Sequence, residues 1–243
     1  MRSLVTCNAL AIKYVTSVPR RHRRCFCARA SLMDHQEKVL HFMRHGQTEM
    51  NVYLGHNAFG SEGFEDPLLY DTKLTPEGIW QAEQAQSKAL QLHPVPEVLI
   101  VSPLTRALHT AELAFPSARC QIPRRIAHPL ARERVYLSSD IGVLRSELAD
   151  KWDNYDMDEL PEEVWWYSED RRNQRSVTME PEEIFHRRIE ELRKHILQRP
   201  ERNIAVVTHS GVLEALTGGY LFRNGEIRTM TAGELIARTG TEA

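Results

Sequence analysis

Val39-Leu40-His41-Phe42-Met43 is a short apolar run that stops abruptly at Arg44-His45-Gly46. A run of that length, bounded in that way, reads as a strand passing into a loop. The same pattern recurs twice. Glu97-Val98-Leu99-Ile100-Val101 ends at Ser102-Pro103, and Asn203-Ile204-Ala205-Val206-Val207-Thr208 ends at His209-Ser210-Gly211. Strands that are apolar throughout, rather than alternating, belong to a sheet covered on both faces. Helical patterns fill the intervals. Thr75-Pro76 reads as an N-cap and first turn, followed by Ile79, Ala82, Gln86 and Ala89 and an end near Leu92. Ser102-Pro103 opens a second helix, with Leu104, Ala107, Leu108 and Ala111 on its apolar stripe. Pro181 opens a long amphipathic helix carrying Phe185, Ile189, Leu192 and Ile196, and another helix starts at Gly211. A short strand is expected near Arg125-Ile126. This alternation predicts a three-layer α/β/α domain around a mostly parallel sheet.

The 243 residues are 42% hydrophobic and 26% charged, which sets aside collagen-like, coiled-coil and wholly disordered chains. No apolar run approaches the roughly 18 residues a membrane span needs. The formal charge of −2 gives no support for nucleic-acid binding. That average conceals an asymmetry. Residues 1–33 hold seven Lys/Arg and no acid, leaving 24 bases against 33 acids, a net of −9, in residues 34–243. Three of the four cysteines also lie in the leader (Cys7, Cys25, Cys27). Such a composition is that of a transit peptide, directed to chloroplast or mitochondrion. If residues 1–33 are instead an extension upstream of Met33, the expected location is the cytoplasm. Residues 34–243 suit one domain. With only Cys120 there, neither a disulfide framework nor a structural zinc site is expected. The stretch 151–180 has no clear period and is rich in acids and aromatics, which suggests a lid-like insertion. Packing of Trp165-Trp166-Tyr167 is the blander reading of the same residues.

Ligands of open α/β sheets bind beyond the carboxyl ends of the strands. Arg44, His45, Ser102, Arg106, His209 and Ser210 are therefore expected to converge on one crevice. Two guanidiniums suit a phosphate dianion and stay charged at any working pH. Gly46 is expected to let the backbone approach the ligand. The helix starts after Ser102 and His209 are expected to offer free N–H groups to an anion. No acidic pair accompanies the histidines at metal-binding spacing, which argues against a dinuclear hydrolase. A neutral imidazole beside phosphorus is instead a candidate nucleophile.

These residues carry a resemblance. Arg44-His45-Gly46-Gln47-Thr48, with Asn51 following, resembles the opening signature of the histidine phosphatase superfamily, which includes the cofactor-dependent phosphoglycerate mutases. Val101-Ser102-Pro103-Leu104-Thr105-Arg106-Ala107 is similar to its second motif, and Val207-Thr208-His209-Ser210-Gly211 to its third. The likeness spans roughly residues 38–220 and implies a phosphoglycerate mutase-like fold; neither cofactor nor metal is expected. It implies that His45 takes the phosphoryl group. Arg44, Arg106 and His209 would hold its oxygens, with Asn51, Thr48 and Ser210 in the substrate-binding set. The implied proton donor lies between the second and third motifs, where Leu130-Ala131-Arg132-Glu133-Arg134-Val135 makes Glu133 the candidate. Glu112 and acids of the insertion are the alternatives. Phosphate would raise the pKa of Glu133, whereas Arg132 or Arg134 would lower it if turned inward.

Gln47 stands where mutases commonly have Glu, and nothing resembles the mutase substrate-closing segments. The expected activity is therefore phosphatase action on a small phosphorylated metabolite, with no nucleic-acid or membrane partner. Mutase-type phosphoryl transfer is one rival, and a phosphatase fold that binds without turnover is another. The segment running through Ser138-Ser139-Asp140-Ile141-Gly142 looks more like the phosphoglycerate-mutase-like proteins of plants and fungi.

Overall fold

The first strand, β1 (Val39–Arg44), lies near the middle of a five-stranded sheet. The computed structural model describes residues 38–240 apart from residue 171. The basic leader of residues 1–33, and the targeting expected of it, lie outside the described residues. The other strands are β2 (Val98–Val101), β3 (Arg124–Ala127), β4 (Asn203–Thr208) and β5 (Ile227–Thr231), in the order β3-β2-β4-β1-β5. All neighbours are parallel except β1 and β5. In register, Arg44 faces Thr208 and Val101 faces Val207, so the carboxyl ends of β1, β4 and β2 lie side by side.

Alternate residues of each strand serve opposite layers. Leu40, Phe42, Val98, Ile100, Ile204 and Val206 pack on α5 (Glu182–Gln198), α6 (Ser210–Leu216) and α7 (Ala232–Thr239). Met43, Leu99, Val101, Ala205 and Val207 pack on α2 (Pro76–Ala89) and α3 (Thr105–Ala114). This two-sided burial is why these strands read as unbroken apolar runs. The remaining α-helices are α1 (Glu49–His56) and α4 (Arg145–Lys151).

One detail departs from expectation. Helix α3 begins at Thr105 rather than at Ser102-Pro103. Its first N–H groups are not open to an anion: Thr105 N donates to Asp71 Oδ1 at 2.9 Å, and Leu104 N to Ser102 Oγ at 3.3 Å. The 151–180 segment packs as part of the fold, with Tyr155, Met157, Leu160, Trp165 and Trp166 all buried in the α2/α3 layer. Asp156 exchanges backbone hydrogen bonds with β3, through Asp156 N to Arg125 O (2.8 Å) and Ala127 N to Asp156 O (3.0 Å). That pairing covers an edge the sheet would otherwise expose.

Candidate active site

Backbone pairing continues past the strand ends. His45 N donates to Thr208 O and Ser102 N to Val207 O, both at 3.0 Å. The loops carrying the candidate residues are thereby fixed to the central strands. His45 is 4% exposed, and its Nδ1 lies 2.7 Å from Gly46 O. A carbonyl only accepts, so Nδ1 carries the hydrogen and Nε2 keeps its lone pair. Burial, then the charges of Arg106 and Arg44, hold this imidazole well below its ordinary pKa, so it is neutral.

The role of Gly46 differs from the one expected. A Cβ there would stand 2.3 Å from Gly78 O of α2, so the glycine permits contact between two backbones. Its N–H donates to Thr110 Oγ1 on α3 at 3.0 Å. Gln47 is likewise tied to α2, with its N–H donating to Gln81 Oε1 (2.9 Å) and its Oε1 accepting from Thr75 Oγ1 (2.9 Å).

Arg106 projects from the first turn of α3 and organises the opposite wall. Its Nη1 donates to Ser139 O (2.6 Å), Nη2 to Asp140 Oδ1 (2.9 Å) and Nε to His209 Nδ1 (3.2 Å). The other nitrogen of His209, Nε2, lies 2.7 Å from Ser102 Oγ. Because Nδ1 accepts from Arg106, Nε2 is the protonated nitrogen and donates to the serine. Burial and then Arg106 hold the His209 pKa well below its ordinary value. Its ring centroid is 5.0 Å from that of His45. His209 nonetheless sits behind Arg106 and does not line the cavity, whereas its neighbour Ser210 does.

Arg44 donates from Nη1 to Phe222 O at 2.9 Å, while its buried Nε has no hydrogen-bond partner among the described residues. Thr48 and Asn51 both reach the cavity, but they first form the capping box of α1. Thr48 N donates to Asn51 Oδ1 and Asn51 N to Thr48 Oγ1, each at 3.1 Å. Such reciprocal caps fix the helix entry and leave the Asn51 amide nitrogen for a ligand.

Glu133 reaches the same cavity from the loop after β3. Its Oε1 accepts from Arg134 N (2.9 Å) and its Oε2 from Gly211 N (3.3 Å), so the α6 N–H expected to be open to an anion is already engaged. Burial, and then the Asp140 charge, raise its pKa against the opposing pull of those N–H groups and of Arg106. The two flanking arginines turn away. Arg132 pairs with buried Glu180 at 2.7 Å, and Arg134 Nε donates to Glu180 O at 2.8 Å. The alternative donor Glu112 is paired with Arg125 and lies outside the cavity lining.

The cavity holds about 300 Å³ and is lined by Arg44, His45, Thr48, Asn51, Arg106, Glu133, Asp140 and Ser210, with apolar residues above them. No described residue of 151–180 lines it; the chain after α1 does, through Phe59. Several partners escape a reading of the sequence: Asp140, Ser139, Thr110 and Asn224. Asn224 Nδ2 donates to His45 O at 3.0 Å, and the Asn224-Gly225 pair is a legible turn signal. Among the described residues, no group of three or more His, Cys, Asp or Glu could hold a metal ion, and no helix is long and apolar enough to cross a membrane.

A neutral imidazole with one free lone pair, two guanidiniums and a carboxylic acid, all at the carboxyl edge of a parallel sheet, define an α/β protein equipped to handle phosphate. The chain belongs to the histidine phosphatase superfamily (branch 1), whose family model matches residues 40–232. It is 27% identical over 218 residues to a phosphoglycerate mutase-like protein of Arabidopsis thaliana, covering 76% of each chain. The ecdysone phosphate phosphatase of Bombix mori, solved with tungstate, shares the fold at a TM-score of 0.52 and 16% identity, over 79% of this chain and 88% of that one. The alpha-ribazole phosphatase of Shigella flexneri is 22% identical, with a TM-score of 0.49 over 79% of this chain and 89% of its own.

Proposed function

We propose that this chain is a metal-independent phosphatase that hydrolyses a small phosphorylated metabolite through a phosphohistidine at His45. The observation that carries the reading is the neutral His45 ring, with Nδ1–H held by Gly46 O and Nε2 left unprotonated beside Arg44 and Arg106. In the first half-reaction Nε2 attacks phosphorus, the bond to the ester oxygen breaks, and Glu133 gives its proton to the departing alkoxide. In the second, the Glu133 carboxylate takes a proton from water as that water attacks the phosphohistidine. Phosphate leaves, and His45 and Glu133 return to their starting states. The raised pKa of Glu133 supports the role of acid, since the group must carry a proton to donate one. Arg44 and Arg106 supply fixed positive charge to the phosphoryl oxygens.

The test uses the purified chain with excess chelator and a panel of sugar phosphates, phosphoglycerates and an aryl phosphate. Phosphate release that resists chelator and vanishes in His45→Ala is expected. An alkali-stable, acid-labile phosphoenzyme should accumulate in Glu133→Gln when the leaving group is good. Release that persists in His45→Ala would refute the route. Isomerised phosphoglycerate without net phosphate would make the chain a mutase, and silence on every substrate would favour a binding protein.

A further inference from the structure

The titratable lining groups are Arg44, His45, Arg106, Glu133 and Asp140, all engaged with one another or with the loops at the strand ends. The rest of the lining is polar at Thr48, Asn51, Thr72, Ser139 and Ser210, and apolar or aromatic at Met50, Leu54, Phe59, Tyr136 and Leu137. The aromatic part of that wall is ordered by its own contacts. Phe59 meets Tyr136 edge-on at 6.0 Å and Phe64 at 5.4 Å, and Phe64 meets Tyr53 at 6.2 Å. The Tyr136 hydroxyl already accepts from Arg134 Nη1 at 2.9 Å, with that guanidinium 4.8 Å from the ring centre. The Tyr136 ring packs against Phe59, and its hydroxyl keeps an O–H that can still donate. Phe59, in the loop after α1, lines the cavity and remains 50% exposed, so part of its ring is open to a ligand.

A second anionic group on a substrate finds no cation among the lining residues other than Arg44 and Arg106, which face the phosphoryl group. It would instead meet the Glu133 and Asp140 carboxyls. We infer that the substrate is a phosphate monoester of an apolar alcohol, with an alkyl or aryl leaving group seated against Phe59, Leu54 and Tyr136. This assignment rests on the phosphatase reading of the same site. Chemistry is unchanged: the departing alkoxide takes the Glu133 proton and leaves as the free alcohol, while water supplies the fourth oxygen of phosphate.

The experiment compares kcat/KM for ethyl, butyl and hexyl phosphate, whose leaving groups are almost equally basic, with glycerol 3-phosphate and 3-phosphoglycerate, all with chelator. A methylene taken fully out of water is worth about fourfold, and on a partly open wall about two- to fourfold. Four methylenes should then raise kcat/KM from ethyl to hexyl by roughly 16- to 250-fold, with 3-phosphoglycerate below butyl phosphate. Phe59→Ser should shrink the hexyl-to-ethyl ratio at least about threefold, a ratio to which general damage to the site is indifferent. A flat alkyl series with 3-phosphoglycerate ahead would overturn the inference and leave the phosphatase standing. An unchanged ratio in Phe59→Ser would overturn the assignment of the wall. No phosphate from any ester would sink the phosphatase reading, and this inference with it.

Discussion

Glu180 touches no part of the cavity, yet the substitution Glu180→Gln should disturb both stability and catalysis. The carboxylate is fully buried and lies between two buried guanidiniums, accepting from Arg132 Nη2 at 2.7 Å and from Arg188 Nε and Nη2 at 3.1 and 2.9 Å. Arg188 in turn donates from Nη1 to Leu130 O and Arg132 O, both at 2.8 Å, and from Nη2 to Glu133 O at 3.4 Å. The clamp therefore holds the backbone that presents Glu133. An amide in place of the carboxylate would keep the shape but leave two buried cations uncompensated, at a cost of roughly 3–5 kcal/mol. For a domain of this size each kcal/mol is about 2–4 °C in Tm, so a fall of roughly 6–20 °C is expected in thermal unfolding. Burial disfavours the Glu180 charge, but Arg188 and Arg132 more than offset it and leave its pKa below the ordinary value. The contribution of that charge is thus present above the unfolded pKa of about 4.3 and is lost as pH falls through the folded value. Wild type and variant should converge in stability only once the pH lies below that folded value. In kinetics, a shift of the Glu133 backbone by about 1 Å can cost about 10²-fold. The loss should be larger for hexyl phosphate than for a nitrophenyl ester, whose leaving group needs little protonation. A Tm within about 2 °C of wild type, or an equal loss on both esters, would refute the clamp.

Glu133→Gln should lower kcat/KM for alkyl esters by about 10²- to 10⁴-fold and for a nitrophenyl ester by much less. In the wild-type pH profile, the raised pKa keeps Glu133 able to donate above pH 4.5, and activity should decline as pH rises through that pKa. The neutral form of His45 persists to well below pH 6.5, so the acid limb should lie far under the ordinary histidine range; a limb at 6.5 would contradict the burial argument. Arg106→Lys cannot serve Ser139, Asp140 and His209 together, and should reduce kcat/KM at least about 10²-fold and lower Tm as Asp140 loses its partner. Gly46→Ala places a methyl 2.3 Å from Gly78 O, and calorimetry should show a loss of about 1–3 kcal/mol or more.

The sequence is most legible where burial is two-sided. β1, β2 and β4 sit between two helical layers, so their residues are apolar on both faces and the strands stand out. β5 escapes such a reading because it is an edge strand whose Arg228 and Thr229 reach outward, breaking the run. Arg44, His45 and Arg106 are legible because each lies at or just past a strand end, Glu133 only through the family resemblance, and the structure brings all four to one cavity. Asp140 and Glu180 are not, because their partners lie 34 residues away for Asp140, and 48 and 8 for Glu180, and nothing local marks an acid destined for burial. Gly46 reads as a point of ligand approach, whereas its constraint is the backbone of α2, a contact between segments that no single-stretch pattern encodes.

The hydrogen bonds that carry the sheet ladder beyond its strands also divide the molecule by rate of change. His45 and Ser102 are hydrogen-bonded through their backbones to β4 and His209 continues directly from that strand, so moving any of them means altering the sheet. The apolar lining comes from α1, from the loop around Phe59 and from Tyr136 and Leu137, all outside the strands of the sheet. Changes near residue 59 can therefore reshape one wall of the cavity while the residues held at the strand ends keep their places.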